Sequence, residues 1–238
     1  MKNLIFAFIG LLAITSAVAQ NKVVNDPNAQ VRNVSSFHAI KVATGIHLYL
    51  TQSGEEKVAV GADNTEDRDR IRTEVVDGVL KIYYENNHDW FSDNHHRNLR
   101  AYVSCKTLDA LKGSSGAHVE VDGSINSAKL AMDFSSGAWF KGNVTVTSLT
   151  VDQSSGSHSV ISGTASSIKA DASSGSHIDA ADLQGGDCDA DASSGAHIDL
   201  SVSKALTASA SSGGHISYRG DASVRTINTS SGGSVSKR

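Results

Sequence analysis

The sequence predicts an all-β chain wound as a parallel β-solenoid, and three observations carry that prediction. The triplet Ser-Ser-Gly occurs seven times, starting at Ser114, Ser135, Ser154, Ser173, Ser193, Ser211 and Ser230, in steps of 21, 19, 19, 20, 18 and 19 residues. Two positions after each glycine stand His118, Trp139, His158, His177, His197, His215 and Ser234. Between triplets, small or apolar residues alternate with polar ones.

A repeat near 19 residues with no helical spacing reads as one coil of a solenoid. Successive coils stack at about 4.8 Å, so six steps span roughly 29 Å. The alternation has the period of two expected of a half-buried strand. It puts Ile168, Ala170, Ala172, Ser174, Ser176 and Ile178 on the inner file, with Cys188, Ala190, Ala192, Ser194, Ala196, Ile198 and Leu200 in the next repeat. The outer file then holds Lys169, Asp171, His177 and Asp179, followed by Asp189, Asp191, His197 and Asp199. The glycine reads alternatively as a corner, because glycine takes left-handed dihedrals freely, and a corner interrupts this parity.

At the start of the chain, Lys2, the apolar run Leu4 to Ile14 and the small-x-small site Ala17-Val18-Ala19 form a secretory signal peptide over residues 1–19. The run is too short to span a bilayer, and nothing later is long or apolar enough to serve as an anchor. The expected product is exported, to the periplasm or to the cell surface and beyond. Residues 20–34 form a lead, and 35–238 a single domain with irregular capping coils at 35–110 and regular repeats at 111–238. After Ala19 the chain carries 20 basic and 25 acidic side chains, a weak acidity that argues against nucleic acid as a partner. Export makes a disulfide the default for Cys105 and Cys188. Their spacing puts them four coils or roughly 19 Å apart, too far to bond, so both read as buried small hydrophobes.

Residues 35–110 are less regular but still strand-like. Phe37–Val42, Ile46–Leu50, Lys57–Gly61 and Val79–Tyr84 read as strands, Asp77-Gly78 as a turn, and the charged stretch from Asn64 to Arg72 as a solvated helical turn or loop. The pattern Phe37-x-x-Ile40-x-Val42, Gly45-x-x-Leu48, Gly61-Ala62-Asp63-Asn64 and Gly78-x-Leu80-x-Ile82, followed by Gly/Ser-rich repeats, resembles the "putative auto-transporter adhesin, head GIN domain" family. The resemblance runs from about Ser35 to the C-terminus. It implies a right-handed single-stranded parallel β-helix of the pectin lyase-like type without that fold's catalytic residues, and a role in adhesion.

Several constellations bear on chemistry. His118, His158, His177, His197 and His215, with Trp139 among them, form a file of side chains stacked at about 4.8 Å. It reads first as a ladder of exposed like residues, and alternatively as an array for Zn²⁺ or Cu²⁺. Asp133, Asp152, Asp171 and Asp191 form a second file, continued by Ser209 and Asn228. Adjacent carboxylates at that spacing repel by about 0.9 kcal/mol even in water, so the file reads as a solvated acidic face, with shared calcium the alternative. Glu120, Asp179 and Asp199 form a partial third file, two residues after a histidine. The histidines stand between the two acidic files and can offset both when protonated.

A hydrolase reading fails because there is no Gly-x-Ser-x-Gly elbow and the Ser-Ser-Gly-x-His unit repeats five times, whereas an active site is built once. The segment Asn86 to Asn98, with His88, Asp89, Trp90, Phe91, Asp93, His95 and His96, reads as a polar excursion between coils, alternatively a metal or sugar site. The expectation is therefore a non-enzymatic, adhesin-like module that presents a repeated Ser/His/Asp array to a cell-surface glycan or an envelope protein, with no cofactor. The alternatives are a polysaccharide-processing enzyme of lyase-like fold and a metal-binding array. The uncovered last coil, with Ile227 and Val235 at its edge and Lys237 and Arg238 as gatekeepers, predicts a monomer with weak self-association.

Overall fold

A computed structural model describes residues 26–85 and 97–238. The signal segment 1–19 and residues 86–96 of the polar excursion lie outside the described residues. The chain enters with β1 (Gln30–Arg32), β2 (Ala39–Val42), β3 (His47–Gln52), β4 (Lys57–Gly61), a one-turn helix α1 (Thr65–Asp69), β5 (Ile71–Val76), β6 (Val79–Tyr84), β7 (Arg100–Cys105) and β8 (Ala110–Gly113). The repeats follow as β9 (His118–Phe134), β10 (Trp139–Gln153), β11 (His158–Ala172), β12 (His177–Ala192), β13 (His197–Ala210), β14 (His215–Arg219), β15 (Ser223–Thr229) and β16 (Ser234–Lys237). These join into one continuous sheet wound into a solenoid of about seven turns.

Each triplet makes the same corner. Ser174 and Gly175 have φ of 53° and 69°, and Ser176 N–H donates to the Ser173 carbonyl at 3.1 Å. Two consecutive left-handed residues closed by this bond are the signature of a type I′ turn. The glycine N–H then points along the stack and donates to the serine carbonyl of the next corner. Gly116 reaches Ser136, Gly137 reaches Ser155, Gly156 reaches Ser174 and Gly175 reaches Ser194, all at 3.0–3.1 Å. The corners thus form a hydrogen-bonded ladder of their own, which answers for backbone groups that a turn ordinarily leaves to water. This explains why the glycine recurs in every repeat.

The corner also corrects the inner file. Ser174 and Ser194 are exposed at the tip of the turn rather than inward, while Ala172, Ser176 and Ile178, and likewise Ala192, Ala196 and Ile198, are buried. The turn consumes an even number of residues, so the alternation resumes beyond it in phase. Unequal repeat lengths are absorbed by register shifts elsewhere, between Lys141 and Asn143 against β9 and between Val160 and Gly163 against β12. The corners themselves stay in register, with Trp139 beside His118 and His177 beside His158.

The core runs through the coil from Phe37 to Tyr218, stopping short of the exposed strand β15, with Phe134 and Phe140 packed at a centroid separation of 5.6 Å. Gly113 and Gly142 make room for them: a Cβ on either would lie 2.5 and 2.8 Å from those rings. Both cysteines are free and buried. Burial pushes their thiols up to about 11 for Cys105 and about 12 for Cys188, so neither is a thiolate at neutral pH.

The first coils are not laid down in sequence order, and here the sequence reading needs correction. The strand pair β2–β3 is sandwiched between β6–β7 on one side and β8–β9 on the other. Cys105 therefore lies two strands from His118 across β3, not in the coil adjoining the first triplet. At this end of the stack, β4 pairs antiparallel with β7, β1 with β4, and β5 with β6. The β5–β6 hairpin turns at Asp77-Gly78 as expected, but the sequence did not mark β5 as a strand. The charged stretch is α1, capped by the Asn64 side chain, which accepts from Asp67 N–H at 2.8 Å. It is not wholly solvated. Asp67 is 8% exposed and accepts from the Tyr84 hydroxyl at 2.6 Å.

Two substitution pairs check this account by thermal or chemical denaturation. Ala192→Leu, pointing into a coil with no spare volume, is expected to cost about 1–3 kcal/mol, and Asp191→Leu, pointing out, far less. Gly175→Ala is expected to cost about 1–2 kcal/mol from left-handed strain alone, since its Cβ would meet nothing within 4 Å. Ser174→Asn, better suited to that conformation, should be neutral or stabilising. Equal stability within either pair would refute the assigned corner geometry.

Candidate functional site

The residue two positions after each corner glycine projects from the outer face at the start of a strand, and in-register pairing stacks these residues into a column. His118 pairs with Trp139, Trp139 with His158, His158 with His177, His177 with His197, His197 with His215 and His215 with Ser234. Rings touch along most of it. Centroids are 5.1 Å apart for His118–Trp139, 4.8 Å for His158–His177, 6.0 Å for His177–His197 and 5.0 Å for His197–His215. The column ends where His215 Nδ1 meets the Ser234 hydroxyl.

The structure extends the column by residues the sequence reading did not include. His47 stands beside His118, at 5.7 Å between centroids, and stacks on Tyr49 at 4.3 Å. Tyr49 in turn stacks on Tyr102 at 5.2 Å. The signal was present in degenerate form: Ala43-Thr44-Gly45-Ile46-His47 matches Ser-Ser-Gly-Ala-His in shape. Thr44 and Gly45 have φ of 60° and 68°, and Gly45 N–H donates to Ser115 at 2.9 Å as the next rung of the corner ladder. A cleft of about 430 Å³ opens beside His47 and His118, with Arg97, Asn98 and Leu99 on its other wall.

Where rings stack with small interplanar angles, 23° for His118–Trp139 and 27° for His197–His215, their faces are turned to one another along the column. What such rings offer outward is edges, and for histidine an edge carries ring nitrogens that donate or accept hydrogen bonds. Beside the column runs the acidic file of Glu120, Asp179 and Asp199. His177 Nε2 lies 3.2 Å from Asp199, and His47 Nε2 lies 3.7 Å from Glu120. Arg238 also reaches Asp199, at 3.1 Å.

The other acidic file is in register as read: Asp133, Asp152, Asp171, Asp191, Ser209 and Asn228. It lies before the corner, on a different stretch of the coil, and lines a shallow groove of about 290 Å³. No ion pair joins it to the histidines among the described residues; its cationic contacts are Lys112 to Asp133 at 3.1 Å and Lys169 to Asp171 at 2.7 Å. The expectation that imidazoles offset both acidic files is therefore corrected: they pair with Glu120 and Asp199 alone. Burial and the neighbouring Asp171 carboxylate hold Asp152 above the usual carboxylate range. Among the described residues, no three His, Cys, Asp or Glu side chains are grouped to hold a metal ion. The excursion residues His88, Asp89, Trp90, Phe91, Asp93, His95 and His96 lie outside the described residues.

The sequence profile of a family described as "putative auto-transporter adhesin, head GIN domain" matches residues 36–222. Similar solved structures include a putative adhesin from Bacteroides fragilis, with a TM-score of 0.75 at 17% identity, covering 88% of this chain and 96% of that one. A putative adhesin from Parabacteroides distasonis gives 0.70 at 20% identity, covering 88% and 96%. A putative lipid binding protein from the same species gives 0.62 at 18% identity, covering 90% and 98%. A comparison with curated proteins finds no match.

The column makes stability depend on pH. Burial and the neighbouring His118 lower the pKa of His47, and burial and His177 lower that of His158, from the usual 6.5. The folded state then binds a proton less readily than the unfolded chain. Its stability is full above the unfolded value and is lost as pH falls through it towards the folded one. The unfolding temperature should drop between about pH 7.5 and about pH 5.5, above the range in which the carboxylates titrate. A His47→Gln/His158→Gln variant should drop less; an equal drop would show that these two rings do not carry the effect.

Proposed function

Because this chain belongs to the "putative auto-transporter adhesin, head GIN domain" family, we propose that it is an exported, non-enzymatic adhesin-like module that binds its target through the face bearing the histidine column. The observation that carries this reading is the column's continuity. His47, His118, Trp139, His158, His177, His197 and His215 lie on one face in consecutive coils, with Glu120, Asp179 and Asp199 alongside. Such a strip repeats one set of hydrogen-bonding edges at the pitch of the solenoid. A ligand with its own regular polar spacing engages several rungs at once, and many weak contacts sum to useful avidity.

Stacked rings also narrow the ligand. A sugar packs on an aromatic through the exposed face of the ring, and where these rings stack the faces are covered. Recognition of a cell-surface glycan or an envelope protein would therefore run through hydroxyl and carbonyl groups bonded to imidazole edges and carboxylates. The repeated, near-identical units support a binding surface over a catalytic one, because catalysis needs unlike groups converging at one point. Export rests on the signal segment read from residues 1–19.

The test is a glycan array together with a panel of envelope proteins, probed with the purified protein. A bound target should lose at least about tenfold in apparent affinity with His158→Ala/His177→Ala/His197→Ala, through lost avidity. Thr164→Ala, exposed further along the coil, should bind as the parent does. Binding that ignores the triple substitution would overturn the assignment of this face.

A further inference from the structure

The file just before the corner carries its charge sorted by sign. Register places Lys81 beside Lys41, Lys41 beside Lys112, and Lys112 beside Asp133. From there the file continues through Asp152, Asp171 and Asp191. Three cations are thus followed by four anions along one straight edge of the stack, with Glu74 of β5 flanking Lys81 at the outer end.

Sorting charge this way is costly within one molecule. Each like-charged neighbour at the coil spacing adds about 0.9 kcal/mol of repulsion even in water, and an alternating order would have removed it. Only Lys112 meets an anion of the file, where the signs change, and Asp171 is paired with Lys169 from the same strand. Among the described residues Lys41, Lys81, Asp152 and Asp191 make no ion pair. Burial and the like charge of Asp171 in the next coil hold Asp152 above the usual carboxylate range. The adjoining file, two residues earlier, is small where the signs change: Ala39, Ala110, Ala131 and Thr150 are in register there. Nothing bulky holds a flat partner away from that part of the face.

We propose that this face docks a second copy of the same chain, with the two ladders running in opposite directions. A two-fold axis lying in the contact plane, across the file between Lys112 and Asp133, reverses the order of the rungs and keeps their spacing. It sets Lys112 opposite the second copy's Asp133, Lys41 opposite its Asp152 and Lys81 opposite its Asp171, and symmetry repeats each pair. Because both copies share one strand spacing, matching one rung matches these six; at each end Glu74 faces Asp191 as a like charge, which weakens the contact. A polyanion would satisfy the lysine half and be repelled by the aspartate half, and a polycation the reverse. The partner that satisfies both halves carries the same sorted charges in reverse order, and a second copy turned end for end does so.

Size sets the strength. Seven strands at about 4.8 Å by about five residues at 3.3 Å give roughly 550 Å² per copy. Stable complexes bury about 800 Å² per partner, so this dimer is weak, electrostatic and sensitive to salt.

Sedimentation of the purified protein at about 50 mM and about 500 mM salt reads it directly. Association should be at least about tenfold weaker at the higher salt. Lys41→Glu/Lys81→Glu should remain monomeric, and so should Asp152→Lys/Asp171→Lys, with circular dichroism confirming that both stay folded. Mixing these two variants should restore association, because each then offers the other opposite charges at all six rungs from Lys81 to Asp171. A zero-length carbodiimide should join Lys41 of one copy to Asp152 of another. A protein monomeric at low salt, a dimer indifferent to these substitutions, or a mixture that fails to recover association would each overturn the proposal.

Discussion

Every coil of this protein leaves one edge of backbone open until the next coil covers it, and that requirement governs the rest of the structure. Strands meet it through parallel pairing. Corners meet it less easily, because a tight turn ordinarily leaves its central amide to water. Here two left-handed residues, the second a glycine, rotate that amide along the stack so that it bonds the carbonyl of the next corner. A repeat that lost this geometry would break the ladder at one point and loosen the register above it.

Register has a consequence for side chains. Once corners align, whatever occupies a given position in one repeat faces its counterpart in the next at the coil spacing. Inside the coil this favours small residues such as Ala172, Ala192 and Ala210, since neighbours above and below leave no lateral room. Outside it forces like groups together. Imidazoles tolerate this when neutral and gain from ring contact, so the histidine column costs little at neutral pH. Carboxylates and ammonium groups gain nothing from such proximity, and the aspartate and lysine files persist against electrostatic repulsion.

The regular half of the fold was legible because its signals are periodic: the triplet, the alternation and the histidine two residues on all repeat at nearly one interval. The column followed from the same period, with five histidines and Trp139 in register as read. What escaped was whatever departs from the period. Ser174 and Ser194 were misassigned inward because alternation alone does not show where a turn inserts two residues. His47 was read as part of a strand but not as a member of the column, since its corner is written Ala43-Thr44-Gly45 in place of Ser-Ser-Gly. The order of the first coils was invisible, because sequence position says nothing about which strand of like character lies beside which. Asp67 looked solvated within a charged run. Its burial depends on Tyr84, seventeen residues further on, a pairing that no local pattern encodes.

The placement of the 39–52 coil between two coils built from later residues bears on how the chain finds its structure. A solenoid wound strictly in order can begin from its first turn and add each new turn as it is synthesised. This one cannot, because both neighbours of its earliest coil come from residues 79–122. The opening step must close loops of tens of residues before any parallel pairing rewards it, which is slow by the standards of local structure. Beyond that point each coil adds to a finished edge through contacts about one repeat apart. By contact order, the irregular N-terminal third is the costly part to close, and the Ser-Ser-Gly repeats are the part that adds by short-range steps.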